Sequence, residues 1–331
     1  MPSIDVLGVP HAYELTDAVE GRPTFVFVHG WLLSRHYWQP LVQKLSPFYQ
    51  CLTYDLRGFG ASQEVDRPIP QKDSLSWQES LGPENLAIAH SPFSLGPHLH
   101  PSLHHTPTRY SPAAYAQDLV ALLEALNLSK VWVVGHSLGG SIALWAGAIA
   151  PETVQGVVCL NSGGGIYVKE AFERFRGAGQ QMIKFRPGWL SSVPLLHLAF
   201  SRIMVHRPLA RHWGRQRAID FVAAQPEAAL QSLLDSTAPE QIHLLPQVVA
   251  QLQQPVYFLG GQEDQVMELK YVYHLASFHP SFRAGETNVI EIPNCGHMGM
   301  LERTTAIALT LQQLQEKHQP SFPYPSASLL G

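Results

Sequence analysis

Val131-Trp132-Val133-Val134-Gly135-His136-Ser137-Leu138-Gly139-Gly140 decides how this chain is read. An apolar, β-branched run suited to a buried strand leads straight into Gly-x-Ser-x-Gly. Ser141 to Ala150 then continues as an apolar helix, stopped by Pro151. So sharp a strand-to-helix turn leaves no room for side chains at Gly135 and Gly139. The Ser137 hydroxyl then stands clear of the backbone, beside a helix N-terminus whose free N–H groups favour developing negative charge. Ser137 is the candidate nucleophile.

Working outward, the same pattern recurs. Ile4 to Leu15 reads as a leading hairpin turning at Gly8-Val9-Pro10, and Thr24 to Val28 as an interior strand that ends in His29-Gly30-Trp31. Trp38 to Leu45 reads as a helix, and Gln50 to Tyr54 as a strand closed by Asp55-Leu56-Arg57-Gly58-Phe59-Gly60-Ala61-Ser62. Ser111-Pro112 caps a helix over Ala113 to Leu126, with Leu119, Leu122, Leu123 and Leu126 on one face. Gln155–Leu160, Pro255–Leu259 and Asn288–Ile292 are further strands; Leu269–Phe278 and Leu301–Lys317 are helices. Strands alternating with helices predict an α/β fold with a mainly parallel sheet covered on both faces. Reactive groups in such sheets gather beyond the carboxyl ends of the strands.

Two stretches break the alternation. Residues 63–108 hold seven prolines and five histidines with little periodicity, which predicts an irregular surface insert. His98, His100, His104 and His105 have no interleaved carboxylate or cysteine, so no metal site is assigned. Residues 166–251 carry aromatic and aliphatic groups at helical spacing, broken by Pro187, Pro194, Pro208 and Pro226, and read as a helical lid. The core is then 1–165 plus 252–318, and 319–331 reads as a flexible tail.

Composition narrows the class. With 45% apolar and 15% charged residues the chain is globular, and a net charge of −4 argues against a nucleic-acid partner. Cys51, Cys159 and Cys295 form neither a disulfide framework nor a metal spacing, so a reducing, cytoplasmic compartment is expected. The first residues have no basic and apolar signal-peptide regions, and the most apolar twenty-residue stretch is the Ser137 turn itself.

A serine hydroxyl needs a base, and the base an acid to orient it. Gly260-Gly261-Gln262-Glu263-Asp264 follows one strand, and Asn294-Cys295-Gly296-His297 follows another. Ser137, Asp264, His297 is then a serine–acid–histidine order. Asp264 is preferred over Glu263 for its reach from the strand-terminal glycines. His136 is read as packing, and Asp55 with Arg57 as a structural ion pair. The N–H groups of Trp31 and Leu138 are the candidate oxyanion donors, with Gly30 letting the backbone turn inward. The chemistry needs no cofactor and no metal.

These motifs, with Glu302 after Gly296-His297, resemble the α/β-hydrolase superfamily over residues 4–62 and 109–316. The resemblance implies an α/β-hydrolase fold: a mostly parallel eight-stranded sheet, helices on both faces and a helical lid inserted after the sixth strand. It implies the same triad and oxyanion donors. A serine at position 137 excludes the branches that use an aspartate nucleophile. What remains is a serine hydrolase (lipase- or esterase-like) acting on an apolar carboxylic ester such as an acyl lipid or prenyl-type ester. An acyltransferase or carbon–carbon hydrolase with the same triad, and a non-catalytic ligand sensor, are the alternatives. Two departures stand out. Met267 occupies a position where many members have proline, and the insert after Ser62 is unusually long.

Charge in the lid is segregated. Between Lys169 and Arg217 ten cations face two anions, Glu170 and Glu173, which leaves −12 for the remainder. Phe172, Phe175, Phe185, Trp189 and Trp213 lie among those cations, so an anionic membrane surface is a candidate partner for 169–217, making the protein peripheral.

Overall fold

The computed structural model describes residues 2–63, 108–163 and 169–319. Residues 64–107 of the irregular insert, with the His98–His105 group, and the tail beyond Gln319 lie outside the described residues. Eight strands form one sheet: β1 Ser3–Val6, β2 Val9–Leu15, β3 Thr24–Val28, β4 Cys51–Tyr54, β5 Val131–His136, β6 Val154–Leu160, β7 Val256–Gly261 and β8 Val289–Ile292. Their order is β1-β2-β4-β3-β5-β6-β7-β8. Only the β1–β2 and β2–β4 pairs are antiparallel; the rest are parallel, with Val28 opposite Gly135 and Leu160 opposite His136.

Every residue of β3, β4, β5 and β7 is buried, as a sheet covered on both faces demands. Alternate residues feed two separate cores. Val26, Val28, Leu52, Tyr54, Val131 and Val133 face one side. Phe25, Phe27, Cys51, Trp132 and Val134 face the other. Helices α1 Gln39–Leu45, α2 Pro112–Ala125 and α3 Leu138–Ile149 belong to the first half of the chain. Leu119, Leu122 and Leu123 of α2 and Ile142 of α3 cover the first core, while Leu41 and Leu45 of α1 cover the second. Ser111 Oγ accepts from Ala114 N at 3.2 Å, the cap expected from Ser-Pro.

Between β6 and β7 lies a lid-like insertion: α4 Lys169–Lys184, a 3-10 turn Gly188–Ser192, α5 Leu196–Phe200, α6 Arg211–Ala223, α7 Pro226–Ser236 and α8 Pro239–Gln251. Its last two helices sink into the first core through Ala228, Ala229, Leu233, Leu245, Val248 and Val249. The chain finishes with α9 Leu269–Ala276, α10 Pro280–Arg283, α11 Gly299–Glu302 and α12 Thr304–His318.

Two local readings change here, the first hairpin and the final helix. The first hairpin turns at Leu7-Gly8, both at positive φ (53° and 82°), which leaves Val9 and Pro10 in β2. The helix expected over Trp38–Leu45 is present as α1, Gln39–Leu45, preceded by a 3-10 turn over Arg35–Trp38. The final helix breaks at Arg303 (φ −133°, ψ 36°), next to Glu302, whose carboxylate bonds back to the preceding loop.

Asp55 and Arg57 do not pair with each other. The buried Asp55 carboxylate takes the Arg35 guanidinium, the Arg35 N–H at 2.7 Å and the Ala61 N–H at 2.8 Å. Arg57 reaches Asp118 at 3.2 Å instead. Two residues along an irregular turn need not share a face, so each charge finds a partner from another element. Arg35→Met strands the Asp55 carboxylate in the core, and urea denaturation is expected to register a loss of about 3–5 kcal/mol. A loss under about 1 kcal/mol would mean that the N–H donors alone satisfy it.

Candidate active site

Ser137 sits between β5 and α3 with φ 53° and ψ −117°, a left-handed conformation uncommon for a residue with a side chain. Its N–H donates to Leu160 O on the neighbouring strand at 3.1 Å. The turn closes tightly enough that a Cβ on Gly135 would lie 2.0 Å from Gly139 O, and one on Gly139 would lie 2.3 Å from Val28 O. That is the close approach expected of the two glycines. A Cβ on Gly30 would stand 2.7 Å from His136 Nδ1 and 3.2 Å from Ser137 Cβ, so the loop after β3 abuts the serine. Trp31 follows in that loop, and Leu138 opens α3, where an N–H has no partner within its own helix. The Trp31 indole is engaged elsewhere, donating to Ala229 O on α7 at 2.8 Å.

Beyond β7 and β8 the acid and the histidine meet. His297 Nδ1 lies 2.8 Å from Asp264 Oδ2, with both residues buried. Glu263, the rival acid, is exposed. Asp264 Oδ2 also accepts from Asn161 Nδ2 at 3.0 Å, and Oδ1 accepts from the N–H groups of Val266 and Met267 at 2.9 Å each. Burial pushes the Asp264 carboxyl up, but the His297 charge and hydrogen bond and those two N–H groups outweigh it and hold it below the ordinary carboxylate range. The departure at Met267 has a consequence here, because a proline would lack one of those donors.

Asn161, at the end of β6 with φ 49°, is a site residue that the sequence reading missed. It spans Asp264 and Gly296 O, 3.0 Å from each. Its only local signal is its place at a strand's carboxyl end, shared with Ser137 and Asp264. His136 is buried as expected for packing, but it is also a spacer. Its Nε2 donates to His297 O at 2.7 Å, and the two rings stand 4.9 Å apart. The residue beside Ser137 therefore touches the residue paired with Asp264. Among the described residues no three His, Cys, Asp or Glu side chains are grouped to hold a metal ion.

A mostly parallel sheet flanked by helices, a strained Gly-x-Ser-x-Gly turn and a buried acid–histidine pair beyond the later strands define a class. The chain belongs to the alpha/beta hydrolase fold family, whose profile matches residues 23–304. It is 24% identical over 304 residues to the pimeloyl-[acyl-carrier protein] methyl ester esterase of Xanthomonas campestris pv. campestris (strain B100), covering 90% of this chain and 96% of that one. Its fold is similar to that of a thermophilic esterase from Thermogutta terrifontis (TM-score 0.65, 20% identity, 96% of this chain and 99% of that one). An esterase from Exiguobacterium antarcticum is also similar (TM-score 0.67, 15% identity, 95% and 98% covered). Family and relatives together point to hydrolase activity in general. No helix among the described residues is long and apolar enough to cross a membrane.

Buried histidines set the acid response. Burial, with the neighbouring His297, lowers the His136 pKa to about 3, and burial also lowers those of His29 and His11. An unfolded histidine titrates near 6.5, so between about 3 and 6.5 the unfolded chain binds more protons and stability falls as pH falls. Asp220, raised to about 6 chiefly by burial, acts in the opposite sense. Unfolding free energy is expected to drop between pH 7.5 and pH 5, by up to about 1.4 kcal/mol per pH unit from His136 alone. Equal stability at the two pH values would contradict neutral burial of these rings.

Proposed function

We propose that the protein is a serine hydrolase that cleaves an apolar carboxylic ester through an acyl-enzyme, without a cofactor. The buried 2.8 Å contact between His297 and Asp264, with His297 O accepting from the residue next to a serine on a strained turn, carries this reading. An imidazole held by a saturated carboxylate has a fixed tautomer, with the proton on Nδ1 and a free lone pair on Nε2. In the proposed reaction Ser137 Oγ attacks the ester carbonyl carbon as His297 Nε2 takes its proton. Negative charge gathers on the carbonyl oxygen, and the N–H groups of Trp31 and Leu138 stabilise it. The intermediate collapses, and the alcohol leaves with the proton from His297. Water then attacks the acyl-enzyme as His297 takes its proton; the acyl–Oγ bond breaks, the carboxylic acid departs, and His297 returns the proton to Ser137 Oγ. Asp264 stabilises the imidazolium formed in each half. The relative acting on an acyl-carrier methyl ester supports an ester as the bond broken.

The lid supplies a reason for an apolar substrate. Among its described residues seven large apolar side chains are exposed, with Phe185, Trp189 and Leu195 each about two-thirds open to water. Lys184, Arg202, Arg207, Arg211 and Arg215 are exposed among them. Arg186 and Arg217 are withdrawn from this field, since each donates two hydrogen bonds to lid carbonyl oxygens. The remaining cations favour an anionic bilayer, each contributing about 1 kcal/mol at its surface. The lid, taken as residues 166–251, then draws an acyl substrate from lipid.

Ser137→Ala is expected to cut turnover of p-nitrophenyl butyrate by at least about 10⁴-fold, and a fluorophosphonate is expected to label Ser137 alone in the parent. Undiminished turnover in the variant would refute the nucleophile. In vesicle flotation, the protein is expected to rise with phosphatidylglycerol liposomes and to be released by high salt. Failure to rise with either anionic or neutral vesicles would end the docking idea.

A further inference from the structure

Glu302 lies outside the proposed triad, yet its carboxylate is shared between two segments remote in sequence. Oε1 accepts from Gly296 N at 3.1 Å and from Met298 N at 3.2 Å, the amides on either side of His297. Oε2 accepts from His206 N at 2.8 Å and Arg207 N at 3.4 Å, in the lid-like insertion. The His297 N–H itself donates to Met204 O at 2.9 Å. Three consecutive amides of the histidine loop are therefore held either by Glu302 or by the lid.

The approach is backbone against backbone. A Cβ on Gly296 would lie 2.5 Å from His206 N and 2.8 Å from Val205 Cα, so only glycine lets the lid arm 201–207 settle there. The arm is itself braced. Arg217 donates to Phe200 O at 2.7 Å and to Ile203 O at 2.6 Å, and Leu209 N donates to Ser201 O at 2.8 Å. Met204 holds φ 60° at its centre. Four N–H donors from two segments thus converge on one half-buried carboxylate, and such charge-assisted bonds are stronger than neutral ones.

We propose that Glu302 is a positioning residue that fastens the lid arm 204–207 to the loop of the catalytic base, so that the orientation of His297 depends on the lid staying seated there. This rests on the hydrolase reading for its catalytic consequence, though not for the clasp itself. Gln is nearly isosteric but offers one acceptor oxygen and turns donors toward two N–H groups, so it satisfies one segment and repels the other.

The test is Glu302→Gln in the full chain, with kcat expressed per site titrated by fluorophosphonate. A displaced base is expected to lower kcat on p-nitrophenyl butyrate by about 10- to 100-fold, with KM changed by less than about twofold. Amide hydrogen exchange is expected to accelerate together in peptides covering 203–208 and 295–299. Glu302→Asp, which keeps the charge but shortens the reach, is expected to show the same paired acceleration with a smaller loss of kcat, and serves if the Gln variant does not fold. An unchanged kcat per titrated site would reduce Glu302 to a structural residue. Exchange that quickens in 295–299 but not in 203–208 would overturn the clasp. A parent protein inert to both ester and fluorophosphonate would sink the hydrolase reading, and the exchange data would still decide the clasp.

Discussion

A carboxylate taken out of water must be given donors, and the buried end of this sheet is organised around meeting that demand at Asp264. Its two oxygens accept from one imidazole, one carboxamide and two backbone amides, drawn from the ends of three different strands. Losing any one leaves part of a negative charge in a medium that solvates it poorly. The constraint therefore runs outward. It fixes the loop after β7, holds Asn161 in a left-handed turn after β6, and points His297 back from the loop after β8.

The same rule repeats elsewhere. Asp55 anchors the loop after β3 to the turn after β4 through Arg35 and Ala61, and that loop carries Gly30 and Trp31. Asp220, on α6, accepts from Ser34 Oγ at 2.9 Å and so joins the lid-like insertion to the same loop. Glu302 joins the insertion to the His297 loop. Asp220 and Glu302 thus tie the lid-like insertion, and Asp55 the turn after β4, to the loops around Ser137. The apolar cores supply cohesion, but they are non-directional; the carboxylates set where each loop stops.

Much of this was legible in the sequence, and for a reason. Largely apolar, β-branched runs at 24–28, 131–134 and 156–160 read as interior strands, and the glycines flanking Ser137 leave one sharp turn. Asp264 over Glu263, and His297 among seventeen histidines, followed from position at strand ends. What escaped was long-range. Asn161 contacts an acid 103 residues away, and no local pattern distinguishes it from a turn asparagine. Asp55 sits two residues from Arg57 and pairs instead with Arg35, because sequence adjacency in a turn says nothing about direction. The break at Arg303 escaped because helical periodicity continues across it.

One measurement tests the buried acid–histidine pair most directly. Proton NMR of the resting protein is predicted to show a single Nδ1–H resonance far downfield of the amides, slow to exchange, and lost in both His297→Gln and Asp264→Ala while the fold persists. A spectrum with no such proton at any temperature or pH where the protein is folded, or one that survives Asp264→Ala, would contradict the account.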